Sequence, residues 1–229
     1  MRHFLIALLF SLLTFTPITP LTAHNRWEVE KLFPSIVKLE IFQQNGPKMG
    51  HCTAFSINEK ARLYLTAYHC ISTGVQYSVG KFEAYPVDAI VFPDGRKVDS
   101  MDVLNDLAVF IIPALSKPAL KLGPEPKLGS SILGLGYGRE AATPLFFEGL
   151  IINWSDDPWG IVGKGMAIFS INFIGGMSGG PIVDTNNRFV SIAQCGGTPG
   201  DPTVIMGCGA SYAAVKALVK NLVEVGTIR

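Results

Sequence analysis

Three short segments, well separated along the chain, constrain its fold more than any other feature. They are Leu65-Thr66-Ala67-Tyr68-His69-Cys70, Asn105-Asp106-Leu107-Ala108-Val109 and Gly175-Gly176-Met177-Ser178-Gly179-Gly180-Pro181. Each sets one reactive side chain at the edge of an apolar or glycine-rich stretch, in the order His, Asp, Ser. A serine hydroxyl is a poor nucleophile until an imidazole takes its proton. That imidazole in turn needs a carboxylate to fix its tautomer and stabilise its charged form. His69, Asp106 and Ser178 fit those roles, and the glycines around Ser178 leave backbone N–H groups free to face a developing oxyanion. A fold that uses them must gather side chains thirty-seven and seventy-two positions apart.

These motifs, Thr66-Ala67-Tyr68-His69-Cys70, Asp106-Leu107-Ala108-Val109 and Gly176-Met177-Ser178-Gly179-Gly180-Pro181, resemble those of the chymotrypsin/trypsin-like serine peptidases. The bacterial branch, with its HtrA-type and glutamyl-endopeptidase-type domains, is the most similar. One such motif arises easily by chance; three in order are specific. The resemblance runs over residues 31–225. It implies an all-β fold of two six-stranded antiparallel β-barrels with a C-terminal α-helix. The first barrel, about residues 31–116, would supply His69 and Asp106. The second, about residues 128–229 with the helix, would supply Ser178.

Composition agrees. Twenty-four glycines and fifteen prolines spread through the chain suit a turn-dense β protein. Charged residues are only 16% and the formal net charge is +1. A nucleic-acid binder would show a basic excess, so no nucleic-acid partner is expected.

The N-terminus reads as a separate object. Arg2 and His3 precede the apolar run Phe4 to Leu13, and a Thr/Pro-rich stretch leads to Ala23. That pattern is a secretory signal peptide over residues 1–23, with release after Ala23 although Leu21 occupies a position that prefers a small residue. The run is short of the ~20 apolar residues a spanning helix needs. The expectation is a mature domain over 24–229, secreted or periplasmic and monomeric, touching a membrane only if the segment is retained.

Four cysteines in an exported chain suit disulfides. The resemblance implies a bond between Cys70, which follows the histidine, and Cys52 on the preceding strand. Aligned with the family, Val190 to Gly196 is the strand after the nucleophile and Met206 to Gly209 its antiparallel neighbour, which brings Cys195 near Cys208. His51-Cys52 and His69-Cys70 also offer metal-type side chains. Adjacent strand residues point to opposite faces, and no Cys-x-x-Cys spacing occurs, so no zinc is expected. No cofactor is implied.

Ser35 to Phe42, Ala61 to Ala67 and Leu107 to Ile112 read as strands. Lys117 to Lys127, with Pro118, Pro124 and Pro126, resembles the connector between barrels, and Ser130 to Gly138 would open the second. A dinucleotide loop is the rival reading of Gly134, Gly136 and Gly138, but Pro144 and the strand-like Leu145 to Ile151 follow instead of a helix. Ser211 can cap a helix whose apolar positions Val215, Leu218, Val219, Leu222 and Val223 recur at helical spacing. In the family this helix packs on the second barrel, and no further peptide-binding domain is expected after it.

The resemblance implies that Gly176 and Ser178 N–H groups form the oxyanion hole. Met177 stands where zymogen members hold an aspartate, so maturation would need signal removal only. By alignment Asn172 lies near the base of the primary substrate pocket, Ala193 and Gln194 along one wall, and Gly196 and Gly207 at its flanks. No acidic residue falls at the base, which favours a neutral side chain, small or apolar, in a polypeptide substrate. Two other classes stay open. One is a non-catalytic binding protein on the same fold. The other is an esterase using the same triad, although α/β-hydrolases run Ser, acid, His.

Overall fold

The computed structural model describes residues 26–44, 46–71, 75–86, 89–91, 97–99, 101–155, 166–196 and 206–223. The expected signal segment, its cleavage point and the chain's last six residues lie outside these. Among the described residues no helix is long and apolar enough to cross a membrane.

After a short helix α1 (Arg26–Glu30), the first sheet is built from β1 (Ile36–Gln43), β2 (Lys48–Asn58), β3 (Leu63–Ala67), β4 (Val75–Val79) and β5 (Phe82–Pro86). A two-stranded ribbon follows, β6 (Ala89–Val91) with β7 (Lys97–Asp99), then β8 (Met101–Asp102) and β9 (Leu107–Ile111). Pairing runs β3-β2-β1-β4-β5-β9, and β9 returns to β3, which closes a six-stranded barrel with β8 on its rim. The β3–β9 register, Leu63 with Ile111 through Ala67 with Leu107, decides where the chemistry sits. It sets the exit of β3, which leads into Tyr68-His69, beside the entry of β9, which Asp106 precedes.

Residues 113–130 carry no regular element beyond a bridge from Leu122 to Phe189, in keeping with a proline-rich connector. The second barrel comprises β10 (Ser131–Gly136), β11 (Leu145–Ser155), β12 (Met166–Phe169), β13 (Pro181–Val183), β14 (Phe189–Gly196) and β15 (Gly207–Ala210), closed in the order β10-β11-β12-β15-β14-β13. All its pairings are antiparallel. The architecture is therefore the chymotrypsin-like one.

The barrels share a core. Phe55 of β2 meets Phe189 of β14 edge to face at 5.1 Å, both fully buried. Such a pair is worth ~0.5–1.5 kcal/mol beyond the area it buries. β3 is buried along its whole length because one face fills its barrel and the other faces the neighbouring elements. The strand expected from Ala61 begins at Leu63, since Arg62 takes a left-handed φ of 56° that ends strand pairing.

Helix α2 (Tyr212–Val223) closes the structure. Ser211 Oγ accepts the Ala214 N–H at 3.1 Å, a side-chain cap of the first turn. Val215, Val219 and Leu222 are fully buried. The helix does not rest on the second barrel alone: Asn58 of β2 donates Nδ2 to the Leu222 carbonyl at 3.0 Å, which satisfies an orphan group of its last turn.

Candidate active site

His69 sits in a 3-10 turn, Tyr68–Cys70, that follows β3. Asp106 meets it twice: Oδ1 accepts the His69 backbone N–H at 2.7 Å, and Oδ2 contacts ring Nδ1 at 2.7 Å. A carboxylate only accepts, so Nδ1 carries the hydrogen and Nε2 is left for proton transfer. Asp106 has φ 53°, and its backbone carbonyl accepts from Tyr68 N–H at 3.1 Å. The Asp106 side chain is 27% exposed and that of His69 46%, because both ride on the barrel rim and not within its core.

Cys52 and Cys70 are joined in a disulfide, which ties the His69 turn to β2. Cys195 and Cys208 form a second, between paired positions of β14 and β15. Cys52, His69 and Cys70 do cluster, but the two sulfurs are bonded to each other and are not thiolates that could hold an ion.

Ser178 lies in the turn between Phe169 and β13. Its carbonyl accepts the Thr53 N–H at 2.8 Å, and the Gly179 N–H donates to the Ala193 carbonyl at 2.7 Å. Thr53 does more than this. Its hydroxyl donates to the Gly176 carbonyl at 2.8 Å and accepts the Tyr137 N–H at 2.8 Å, while its own carbonyl accepts Thr66 Oγ1 at 2.8 Å. First-barrel strands thus grip the serine loop. Gly176 and Gly179 have φ values of 96° and 82°, a region that L side chains rarely adopt. Among the described residues Gly176 N–H and Ser178 N–H have no hydrogen-bond partner, nor has Ser178 Oγ. The structure thus joins His69 to Asp106 directly, while no hydrogen bond joins Ser178 to His69.

Beside Ser178 lies a cavity of about 180 Å³ lined by Phe173, Ile174, Gly175, Ser178, Ala193, Gln194, Cys195 and Gly196. Three residues expected at the substrate pocket, Ala193, Gln194 and Gly196, line it. Asn172 is exposed and is not among them. Its neighbour Phe173 turns inward, and a Cβ added at Gly207 would come within 2.5 Å of the Phe173 ring. Gln194 also reaches beyond the cavity, where its Nε2 donates to the carbonyls of Asn105 at 2.7 Å and Asp106 at 3.0 Å. Thr53 and Thr66 are not legible as site residues in the sequence, since a threonine in a β-strand is ordinary and only the fold shows what its hydroxyl reaches.

Residues 52–192 match the family described as the trypsin-like peptidase domain. No curated protein sequence matches the chain. Among solved structures the Rv3671c protease of M. tuberculosis in its active form is similar, with a TM-score of 0.65 and 21% identity, over 84% of this chain and 82% of that one. Its inactive form gives 0.64 and 21%, over 86% and 93%. A serine endoprotease from Yersinia pestis gives 0.61 and 18%, over 86% of this chain and 66% of that one. At these identities the likeness speaks for the fold. The family match spans more than half of the sequence and takes in His69, Asp106 and Ser178, and it speaks for descent: the chain belongs to the trypsin-like peptidase domain family, whose enzymes are serine-type endopeptidases.

Proposed function

We propose that this chain is an exported serine endopeptidase, secreted or periplasmic and monomeric, that cleaves polypeptides through His69, Asp106 and Ser178. One observation carries the reading: the pair of hydrogen bonds between Asp106 and His69, which engages Nδ1 and leaves Nε2 without a partner among the described residues. Ser178 Oγ attacks the scissile carbonyl carbon as His69 Nε2 takes its proton. The tetrahedral oxyanion is received by the N–H groups of Gly176 and Ser178, then collapses as His69 returns the proton to the leaving amine. Water repeats the sequence on the acyl-enzyme.

The cavity beside Ser178 supports the preference for a neutral residue before the cleaved bond. None of its described lining residues is charged, and at about 180 Å³, flanked by Phe173, it favours a small apolar side chain.

The test is labelling by a fluorophosphonate probe, with casein hydrolysis in parallel. Labelling of Ser178, and loss of both signals in Ser178→Ala with an unchanged thermal midpoint, is the expected result. A folded wild type that neither labels nor cleaves would leave the non-catalytic binding protein. Cleavage of esters but of no peptide would favour the esterase.

A further inference from the structure

A second histidine lies against the serine loop, and the triad does not use it. His51 of β2 is 7% exposed. Its Nε2 lies 3.0 Å from the Tyr137 carbonyl, which can only accept, so Nε2 carries the hydrogen. The ring stands directly under Gly176: a Cβ at that position would come within 2.2 Å of Nε2 and 2.9 Å of Cδ2. His51 and Thr53 are two apart on one strand and share a face. Together they hold Tyr137 by both backbone groups, its carbonyl through the imidazole and its N–H through the hydroxyl. Two residues on, the Arg139 N–H donates to the Gly175 carbonyl at 2.6 Å. The chain has no cis peptide bond among its described residues, so the Gly176 N–H points opposite to that carbonyl, away from Arg139.

We propose that His51 is a positioning residue for the oxyanion loop: as a neutral imidazole it anchors Tyr137 and fills the space beneath Gly176. The Gly175–Gly176 peptide thereby keeps its N–H aimed at the developing oxyanion. This rests on the assignment of Ser178 and Gly176 proposed above.

The charged groups facing the ring come from three elements. Lys38 and Glu40 lie on β1, with Glu40 opposite His51 in the strand register. Lys48 lies on β2, and Glu140 on the turn after Tyr137. Lys48 pairs with Glu40 at 3.2 Å and with Glu140 at 3.4 Å, Lys38 pairs with Glu140 at 3.3 Å, and Glu140 Oε1 stands 3.9 Å from His51 Nδ1. The two lysines thus offset the two carboxylates around the imidazole. Burial, above all, lowers the His51 pKa from its ordinary value and keeps the ring neutral.

The test uses the mature enzyme with His51→Phe, which keeps a ring but no donor, and His51→Gln, which keeps a donor. In the Phe variant kcat should fall about tenfold or more with KM within about twofold, since an oxyanion donor acts in the transition state and its outright loss costs ~10²–10³. A peptide boronate, which forms a tetrahedral adduct on Ser178, should weaken by the same factor, while a product peptide should bind as before. The Gln variant should recover most of the loss. A folded Phe variant with unchanged kcat, or one that loses boronate and product binding alike, overturns the proposal. Should the Phe variant not fold, imidazole nitrogen shifts of the wild type decide: a neutral Nε2–H ring at pH 7 sustains the proposal and a charged ring overturns it. A wild type inert to boronate and peptide refutes the Ser178 assignment instead.

Discussion

Gln194, in the second barrel, donates its side-chain amide to the backbone carbonyl of Asp106 in the first at 3.0 Å, and to that of Asn105 at 2.7 Å. Asp106 needs such support. Its left-handed backbone, φ 53°, costs on the order of 1–3 kcal/mol and persists only where the surroundings over-determine it. Gln194→Leu keeps the volume and removes both bonds. Stability should fall by about 1–3 kcal/mol for the Asn105 carbonyl left unpaired, while that of Asp106 keeps the Tyr68 N–H. The rate constant kcat should fall more than KM rises, because the carboxylate loses its aim. Denaturant unfolding and steady-state kinetics on one preparation check both; an unchanged kcat would mean that Asp106 is held without Gln194.

Asp106→Asn tests the carboxylate itself. The amide can turn an N–H toward His69 Nδ1 and so favour the tautomer with its hydrogen on Nε2, which cannot accept the serine proton. A loss of ~10⁴ in kcat with little change in stability is expected by analogy with the well-studied triad. Loss below tenfold in a folded variant would remove Asp106 from the mechanism.

The contrast between Asp106 and Gln194 shows what the sequence made legible. His69, Asp106 and Ser178 stood out because their chemistry allows few residue types and each sits at the edge of a strand-like or glycine-rich stretch. Barrel class followed from the family that these motifs, in this order, resemble. Gln194 read only as a pocket wall, since its reach across to Asn105 and Asp106 depends on how the barrels dock. Asn172, expected near the pocket base, is exposed while its neighbour Phe173 lines the cavity, because which of two neighbours points inward is set by the local backbone, not by residue type. His51 carried no motif, and its position under Gly176 exists only once β2 lies against the serine loop.

Gly179 supplies a stability prediction. A Cβ there would come within 2.2 Å of Thr66 Oγ1 and 2.3 Å of the Thr53 carbonyl, at a φ of 82°. Backbone cannot yield as a flexible side chain can. Gly179→Ala should therefore destabilise by ~3 kcal/mol or more and lower activity with it. A thermal midpoint within a degree of wild type would show that the two strands of the first barrel do not grip this loop as tightly as their distances imply.

Stability should also depend on pH through His51 and Glu140. Burial chiefly lowers the His51 pKa from 6.5, so the unfolded chain takes up its proton first as pH falls below that value, and stability is lost. Glu140 acts in the same direction at lower pH. Hydrogen bonds from Lys38 and then Lys48 hold its carboxyl below 4.5, so its contribution is present above that value and lost as acid protonates it. Urea unfolding at pH 7.5 and 5.5 should show wild type losing more stability than His51→Gln. Equal losses would assign the acid sensitivity elsewhere.

The two disulfides should fail differently. Cys52 and Cys70 are 18 residues apart, and their bond restrains the turn that carries His69. Cys52→Ala with Cys70→Ala should lower stability by ~3 kcal/mol, largely by freeing the unfolded chain, and should depress kcat as the turn loosens. Cys195 and Cys208 are 13 apart on neighbouring strands, and Cys195 lines the cavity beside Ser178. Their double replacement leaves the β14–β15 pairing to hold the strands, so the larger effect should be a changed preference among small apolar residues before the cleaved bond. A peptide library with varied residues at that position, digested by both double variants, separates the two outcomes. An unaltered preference in the Cys195/Cys208 variant would detach this cavity from substrate recognition while leaving the triad untouched.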